Sequence, residues 1–245
     1  MNPSDEVLRG GYISTSLDPP AAMFQRTSIP IPFTGTVTHL RVCSGFLIYV
    51  MVNREMKVIR RANMASKTDE KDDIEFRDDD VENIYMDPTG DHVIISMASE
   101  SNYYLHRLSK SLKILSKFSG HIISAVAWND ECALRYTGPL LVGTKKGLVF
   151  ETSLVASEEG KFRIASSAAE QYAKQLYDIG DFTVSGLAYG RVTTGQQKRR
   201  LQSHNIFILL VTSGRLYQFF GTVGSTLEGH SVFQSIFEAT KTYKK

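Results

Sequence analysis

Val81-Glu82-Asn83-Ile84-Tyr85-Met86-Asp87-Pro88-Thr89-Gly90-Asp91-His92-Val93-Ile94-Ile95-Ser96 is an apolar strand, an Asp-Pro-Thr-Gly turn and a second apolar strand. β-Branched and aromatic residues favour extended chain, and the Pro and Gly between them favour a tight reversal. The pair reads as the opening hairpin of a β-propeller blade. The same cadence of strand, polar turn and strand recurs four times along the chain.

The first unit runs Val37 to Val42, turns at Ser44-Gly45, continues Phe46 to Val52 and, after Asn53-Arg54-Glu55, ends in Met56 to Arg60. A charged stretch from Lys67 to Asp80 has no apolar periodicity and reads as a loop between blades. After the Val81–Ser96 hairpin come Tyr103 to Leu108 and Lys113 to Phe118. The third unit opens at Gly120-His121, runs Ile123 to Asn129, then Pro139 to Thr144, the turn Lys145-Lys146-Gly147, and Leu148 to Thr152. The fourth is Val184 to Tyr189, a long polar loop, Ile206 to Thr212, Ser213-Gly214-Arg215 and Leu216 to Phe220. Unit starts near 37, 81, 123 and 184 lie about 40–45 residues apart except where an insert intervenes, the period of propeller blades.

The fold expected is all-β: a partial, open propeller of about four divergent WD40-like blades. Its parts are a flexible lead-in over 1–35, blades near 36–66, 81–118, 120–164 and 182–223 within a propeller over 36–232, and a truncated or disordered tail over 233–245. Pro19-Pro20 and Ile29-Pro30-Ile31-Pro32 deny the lead-in the N–H groups of a central strand, which leaves Ile29 and Ile31 to a sheet edge or a closing strand. Ala165 to Tyr177, rich in Ala, Glu, Gln and Lys, is the candidate for one short helix. Larger rings commonly take about six to eight blades. The chain therefore reads as an N-terminal piece of such a ring, with an unpaired edge, exposed inter-blade surface and marginal stability alone.

The bulk numbers narrow the function classes. With 42% apolar and 10% aromatic residues among 245, the chain can bury a sizeable core. Lys+Arg 28 against Asp+Glu 26 leaves a formal charge of +2, which argues against a nucleic-acid partner. Lys198-Arg199-Arg200, the one dense basic cluster, reads as a solvated loop. Cys43 and Cys132 are too few for a disulfide framework and read as reduced thiols of a cytosolic protein. Met1 to Glu6 shows no secretory pattern, and the apolar runs Phe46 to Val52 and Ile206 to Val211 are strand-length, so no direct membrane insertion is expected.

Nothing in the sequence points to catalysis or to a cofactor. There is no GxSxG, GxxxxGK[ST], HExxH or CxxC. Gly143-Thr144-Lys145-Lys146-Gly147 has the wrong spacing for a phosphate cradle and sits where a hairpin turn is expected. Asp78-Asp79-Asp80 with Glu75 lacks the alternating acids and the Gly of a Ca²⁺ loop. His39, His92, His106, His121, His204 and His230 show no ligand spacing. His121 reads as a blade-turn residue hydrogen-bonded within its repeat, and Trp128 as core. No catalytic, cofactor-binding or metal residue is assigned, and the residues that bind a partner are unknown.

Ser119-Gly120-His121-Ile122-Ile123-Ser124-Ala125-Val126-Ala127-Trp128-Asn129 resembles the Gly-His turn and inner strand of tryptophan–aspartate repeats, without the Trp-Asp pair itself. A closer resemblance rests on Asp87 to Ser96, Val126 to Asn129, Thr137 to Glu151, Ala156 to Phe162 and Arg215 to Phe219, in order between about 36 and 221. These stretches resemble the N-terminal propeller of the deep orange family, the vacuolar protein sorting-associated protein 18 type of core subunit in HOPS and CORVET tethering complexes. The resemblance implies a non-catalytic interaction module in endosome-to-lysosome or vacuole transport, vesicle docking and fusion, and autophagosome maturation. It implies other tethering subunits and late-endosomal membrane proteins as partners, and a place on the cytosolic face of late endosomes and lysosomes. Family members carry an α-solenoid and a RING zinc finger after the propeller; this sequence holds neither, so zinc and ubiquitin-ligase activity do not carry over. A scaffold of another coat-like or nuclear-pore-type assembly has the same strand pattern, because fold alone does not fix function. An enzyme on this fold would need acids, histidines or metal ligands converging near the central channel.

Overall fold

A computed structural model describes residues 35–54, 56–64, 71–76, 79–109, 111–156, 169–192, 204–223 and 231–242. Four antiparallel sheets follow one another along these residues, each with its strands in chain order. Blade 1 is β1 (Thr36–Cys43), β2 (Phe46–Val52), β3 (Lys57–Asn63) and β4 (Lys71–Phe76). Blade 2 is β5 (Val81–Met86), β6 (His92–Met97), β7 (Asn102–His106) and β8 (Lys113–Ile114). Blade 3 is β9 (Ile123–Ala127), β10 (Tyr136–Thr144), β11 (Leu148–Val155) and β12 (Glu170–Asp178). Blade 4 has three strands, β13 (Gly186–Val192), β14 (His204–Val211) and β15 (Leu216–Val223). A helix, α1 (Gln234–Thr242), follows.

The first strands β1, β5, β9 and β13 lie side by side in that order, so the blades fan around an axis as an open propeller. Side chains of each first strand reach the backbone of the next. His39 Nε2 and Arg41 Nε meet the carbonyls of Glu82 and Ile84 at 3.2 and 3.1 Å. Asn83 Nδ2 donates to the Ile123 carbonyl at 3.0 Å, and the Ser124 hydroxyl donates at 2.7 Å to the Val184 carbonyl, just ahead of β13.

Burial explains why the middle strands read as unbroken apolar runs. Successive strand residues point to opposite faces, and both faces of an inner blade are covered. On β6, Val93 and Ile95 enter the core shared with Ile48, Val50 and Ile59 of blade 1, while Ile94 enters the core shared with Leu140 and Val142 of blade 3. On β10 the alternation repeats, with Leu141 turned toward Ile206, Ile208 and Leu210 of blade 4. Gly147 closes the β10–β11 hairpin at φ 78°, and a Cβ there would lie 2.1 Å from the Gly180 carbonyl oxygen, so no other residue fits.

Three expectations need correction. Lys71–Phe76, within the stretch expected to be a loop, is the outer strand β4, paired with β3 in register Ile59↔Ile74. An edge strand needs little apolar sequence: Ile74 and Phe76 reach the blade 1–2 core, and Asp73 pairs with buried Arg60. Over the expected helix at 165–177, residues 170–177 belong to strand β12, paired with β11 from Leu148↔Asp178 to Leu154↔Glu170. Ladder bonds and burial of Leu176 and Tyr177 outweigh a helix propensity of a few tenths of a kcal/mol per residue. The one α-helix among the described residues is α1, in the stretch expected to be a truncated or disordered tail. Phe233, Ile236 and Phe237 make it ordered, buried against Tyr177, Phe219 and Val223 between blades 3 and 4. The lead-in over 1–34 and the Lys198-Arg199-Arg200 cluster lie outside the described residues.

Candidate functional site

Four of the side chains that sequence reasoning weighed one by one, Cys43, His92, His106 and Cys132, meet around the β5–β6 turn. The β5–β6 turn is built by Asp87, fully buried, whose carboxylate accepts from the backbone N–H groups of His92 at 2.7 Å and Thr89 at 3.1 Å, and from the Thr89 hydroxyl. Gly90 takes φ 79° in this turn, and a Cβ would press to 2.6 Å on the Phe46 ring. Blade 1 grips the turn. Arg61, buried, donates to the Gly90 carbonyl and lies over Phe46 at 5.0 Å from the ring centre. The Cys43 thiol and the Ser44 hydroxyl donate to the Pro88 carbonyl.

Blade 3 grips the turn from the other side through two histidines. His92 and His106 are direct partners across β6 and β7, which sets their rings 5.2 Å apart. A carbonyl oxygen only accepts, so each Nε2 carries the hydrogen: His92 donates to Ala133 at 2.8 Å, and His106 donates to Leu134. The free Nδ1 atoms then accept, from the Tyr104 hydroxyl at 2.7 Å and from the Leu108 N–H at 3.3 Å. Burial holds the Tyr104 hydroxyl well above its ordinary pKa, with the Asp87 and Asp91 charges adding to it. Burial also pushes the Cys132 thiol up to about 12, with the Asp87 charge adding, so it stays protonated and donates to the Thr137 carbonyl at 3.3 Å.

The His106 imidazole is held below its ordinary pKa, first by burial, with the nearby His92 and Arg61 adding to it. Such a group binds fewer protons folded than unfolded. Its contribution is intact above the unfolded value of about 6.5 and fades as pH falls from there toward the folded value. The melting temperature should therefore drop on going from about pH 7.5 to about pH 5.5. His121, also lowered by burial, acts in the same direction, so His106→Gln should flatten the slope without abolishing it. Equal slopes in the wild type and the variant would count against this role for His106.

The remaining candidates are spread out. His121 offers its backbone carbonyl to Asn102 Nδ2 at 2.8 Å, while its ring packs 5.4 Å from Phe150 and its Nδ1 has no hydrogen-bond partner. Trp128 packs against the blade 2–3 core. Asp79 accepts from the Asp80 and Ser99 N–H groups at 2.8 and 3.2 Å, and Asp80 pairs with Lys57 at 2.6 Å. Lys146 pairs with Glu100 at 2.9 Å, and Lys145 pairs with Glu82. Residues 77–78 and His230 lie outside the described residues. Among the described residues no three His, Cys, Asp or Glu side chains gather as metal ligands. The clasp thus spends its polar atoms on backbone partners. Around it Leu108, Leu134 and Tyr136 are exposed by 58%, 40% and 44%. Sequence reasoning missed Arg61, Tyr104 and the Ala133–Leu134 carbonyls. The available signal was the spacing of His92 and His106 about a hairpin turn, which makes them cross-strand partners.

A family model described as the Pep3/Vps18/deep orange beta-propeller domain matches residues 22–245. The chain is similar to the vacuolar protein sorting-associated protein 18 homolog of Danio rerio, 28% identical over 238 residues, covering 94% of this chain and 23% of that protein. It is similar to the Drosophila melanogaster homolog of the same name at 27% over 212 residues, 76% of this chain and 19% of that one. Vacuolar sorting protein 18 of Arabidopsis thaliana is 26% identical over 166 residues, 64% of this chain and 15% of that protein. The chain spans less than a quarter of the length of these relatives.

Proposed function

Because the chain belongs to the Pep3/Vps18/deep orange beta-propeller family, we propose that it is a non-catalytic protein-interaction module of a vacuolar-sorting, vesicle-tethering assembly of the HOPS and CORVET type. The observation that carries this reading is the family match across residues 22–245. The geometry agrees with it: the polar groups of the clasp serve the fold, while Leu108, Leu134 and Tyr136 stand out from the same end of the blades. Exposed apolar groups ringed by polar ones suit a protein partner. The process is endosome-to-lysosome or vacuole transport, with vesicle docking and fusion and autophagosome maturation as its steps. The module works peripherally, on the cytosolic face of late-endosomal and lysosomal membranes, through other tethering subunits and late-endosomal membrane proteins. Among the described residues no helix is long and apolar enough to cross a membrane.

Proximity labelling tests this. A biotin ligase fused to the chain should label tethering subunits and late-endosomal proteins in cells. Leu108→Asp with Leu134→Asp should cut that labelling by roughly tenfold, the effect of losing a few interface anchors, at an unchanged circular dichroism spectrum. If a full-length relative labels those proteins and this chain labels none, the reading fails.

A further inference from the structure

The outer edge of blade 2 looks away from the axis, with blades 1 and 3 in place on either side, so a further blade of the ring would not cover it. The edge is the two-residue strand β8, with Lys113 opposite Tyr104 and Ile114 opposite Tyr103 on β7. From Ser101 to Asn129 the sequence holds Arg107, Lys110, Lys113 and Lys117 and no acid. Arg107 reaches across to Asp91 at 3.1 Å. Lys117 is exposed, and its ammonium donates to the Glu170 and Gln171 carbonyls at 3.4 and 3.0 Å, neutral oxygens that do not cancel its charge. Lysine on a sheet edge is an ordinary guard against edge-to-edge pairing. Large aliphatics are not, yet Ile114 is exposed by 57% on the same strand and Leu108 by 58% on the connection that leads into it.

The neighbouring edges decide what fits. Blade 1's outer strand exposes Asp73 and Glu75, while blade 3's exposes Lys174 and Asp178 in balance. The basic strip is thus one blade wide, with acids beside it. A flat anionic bilayer or a nucleic-acid duplex laid over it would press on Asp73 and Glu75 and lose there what it gained on the lysines. A single extended chain avoids them. The exposed apolar groups are aliphatic, which gives bases no ring to stack on but suits the apolar side chains of a peptide. We infer that the outer edge of blade 2 is a docking strip for an acidic segment of a partner polypeptide. Its carboxylates would face Lys113 and Lys117, and its apolar side chains would cover Ile114 and Leu108. This rests on the reading of the chain as an interaction module and names the chemistry of its partner.

Fluorescence anisotropy on the 245-residue chain with a labelled peptide of Glu-Leu-Asp repeats should show saturable binding. That binding should weaken several-fold as salt rises from about 0.05 to about 0.3 M. Lys113→Glu with Lys117→Glu should weaken it by roughly tenfold or more, and Ile114→Ser by roughly tenfold, the scale of losing an interface anchor. Lys174→Glu, the same charge change on the next outer strand, should leave it within about twofold. A peptide of Lys-Leu-Ser repeats should not bind. Circular dichroism and melting curves show that each variant is folded, and Ile114→Ser, at an exposed position, tests the strip should the charge reversals unfold the chain. Absence of peptide binding, or binding indifferent to these substitutions, overturns the proposal. So does stronger retention on phosphatidylserine vesicles, lost with the same lysines, which would hand the strip to a membrane surface. Proximity labelling keeps the two readings apart. Labelling of tethering subunits without peptide binding removes the strip alone, whereas a wild-type chain that labels none of them fails the module reading itself.

Discussion

Glu151→Ala is expected to cost roughly 3–5 kcal/mol of stability and to release α1, because it removes the anion that holds the helix to the blades. Glu151 is fully buried, on the face of β11 that Val149 turns toward blade 4. Its carboxylate accepts from the Tyr172 hydroxyl at 2.8 Å, the Val232 N–H at 2.8 Å, the Phe233 N–H at 3.0 Å and the Ser231 hydroxyl. Two of these donors lie just before the helix, where N–H groups lack intrahelical partners and where negative charge is favoured. Burial holds the Tyr172 hydroxyl far above its ordinary pKa, with the Glu151 charge adding to that, so it remains a donor. Alanine leaves these donors buried without an acceptor. It also frees Phe237, whose ring lies 5.6 Å from Tyr177 and 4.6 Å from Phe219, Phe233, whose ring lies 4.8 Å from Tyr189, and Ile236 of the same core. Glu151→Gln keeps one acceptor oxygen and should cost less, roughly 1–3 kcal/mol. Urea unfolding gives the two values, and hydrogen exchange over 233–242 reports the release of the helix. Full protection there in Glu151→Ala would show that apolar packing alone holds α1.

Much of the blade pattern was readable because hairpins are local. Apolar runs bounded by Ser-Gly, Thr-Gly and Lys-Gly turns placed most of the strands of blades 1 to 4. The elements that escaped reading have stability that comes from elsewhere in the chain. Strand β4 is acid-rich because an edge strand takes its register from the β3 backbone, and Asp73 is explained only by Arg60 across the ladder. Strand β12 has a helix former's composition, yet its Ala173 and Lys174 pair with Thr152 and Glu151. Phe233, Ile236 and Phe237 do carry helical spacing, but a single turn's worth of apolar residues says little until blades 3 and 4 supply the cleft. The clasp was half legible. Asp-Pro-Thr-Gly predicted the turn, whereas its meeting with Arg61 and with the Ala133 carbonyl depends on how three blades stack. Glu151 left one signal, a lone acid inside the apolar run Leu148 to Thr152, with its helix-side partners Ser231, Val232 and Phe233 some eighty residues on.

Asp87→Ala should cost roughly 2–4 kcal/mol, and the loss should spread beyond its own turn. The carboxylate is fully buried and fixes both ends of the β5–β6 reversal, through Thr89 on one side and the His92 N–H on the other. The Asp87 N–H and the Gly90 N–H close the same turn on the carbonyls of His92 and Asp87, each at 3.0 Å. The His92 ring is aimed by that backbone, so the bonds to Tyr104 and to Ala133 on blade 3 depend on the turn as well. A role confined to the turn and a role in joining blades give different answers in a double-mutant cycle with Tyr104→Phe. If Asp87 acts only within its turn, the two losses add to within about 0.5 kcal/mol. If it positions His92 as the link between blades, they couple by roughly 1 kcal/mol or more, because either change alone already loosens the imidazole. Asp87→Asn separates charge from shape: it keeps an oxygen for the His92 N–H and should recover about half of the loss. Additive losses in the cycle would reduce the Asp-Pro-Thr-Gly motif to a hairpin signal and leave the blade 2–3 seam to its apolar core.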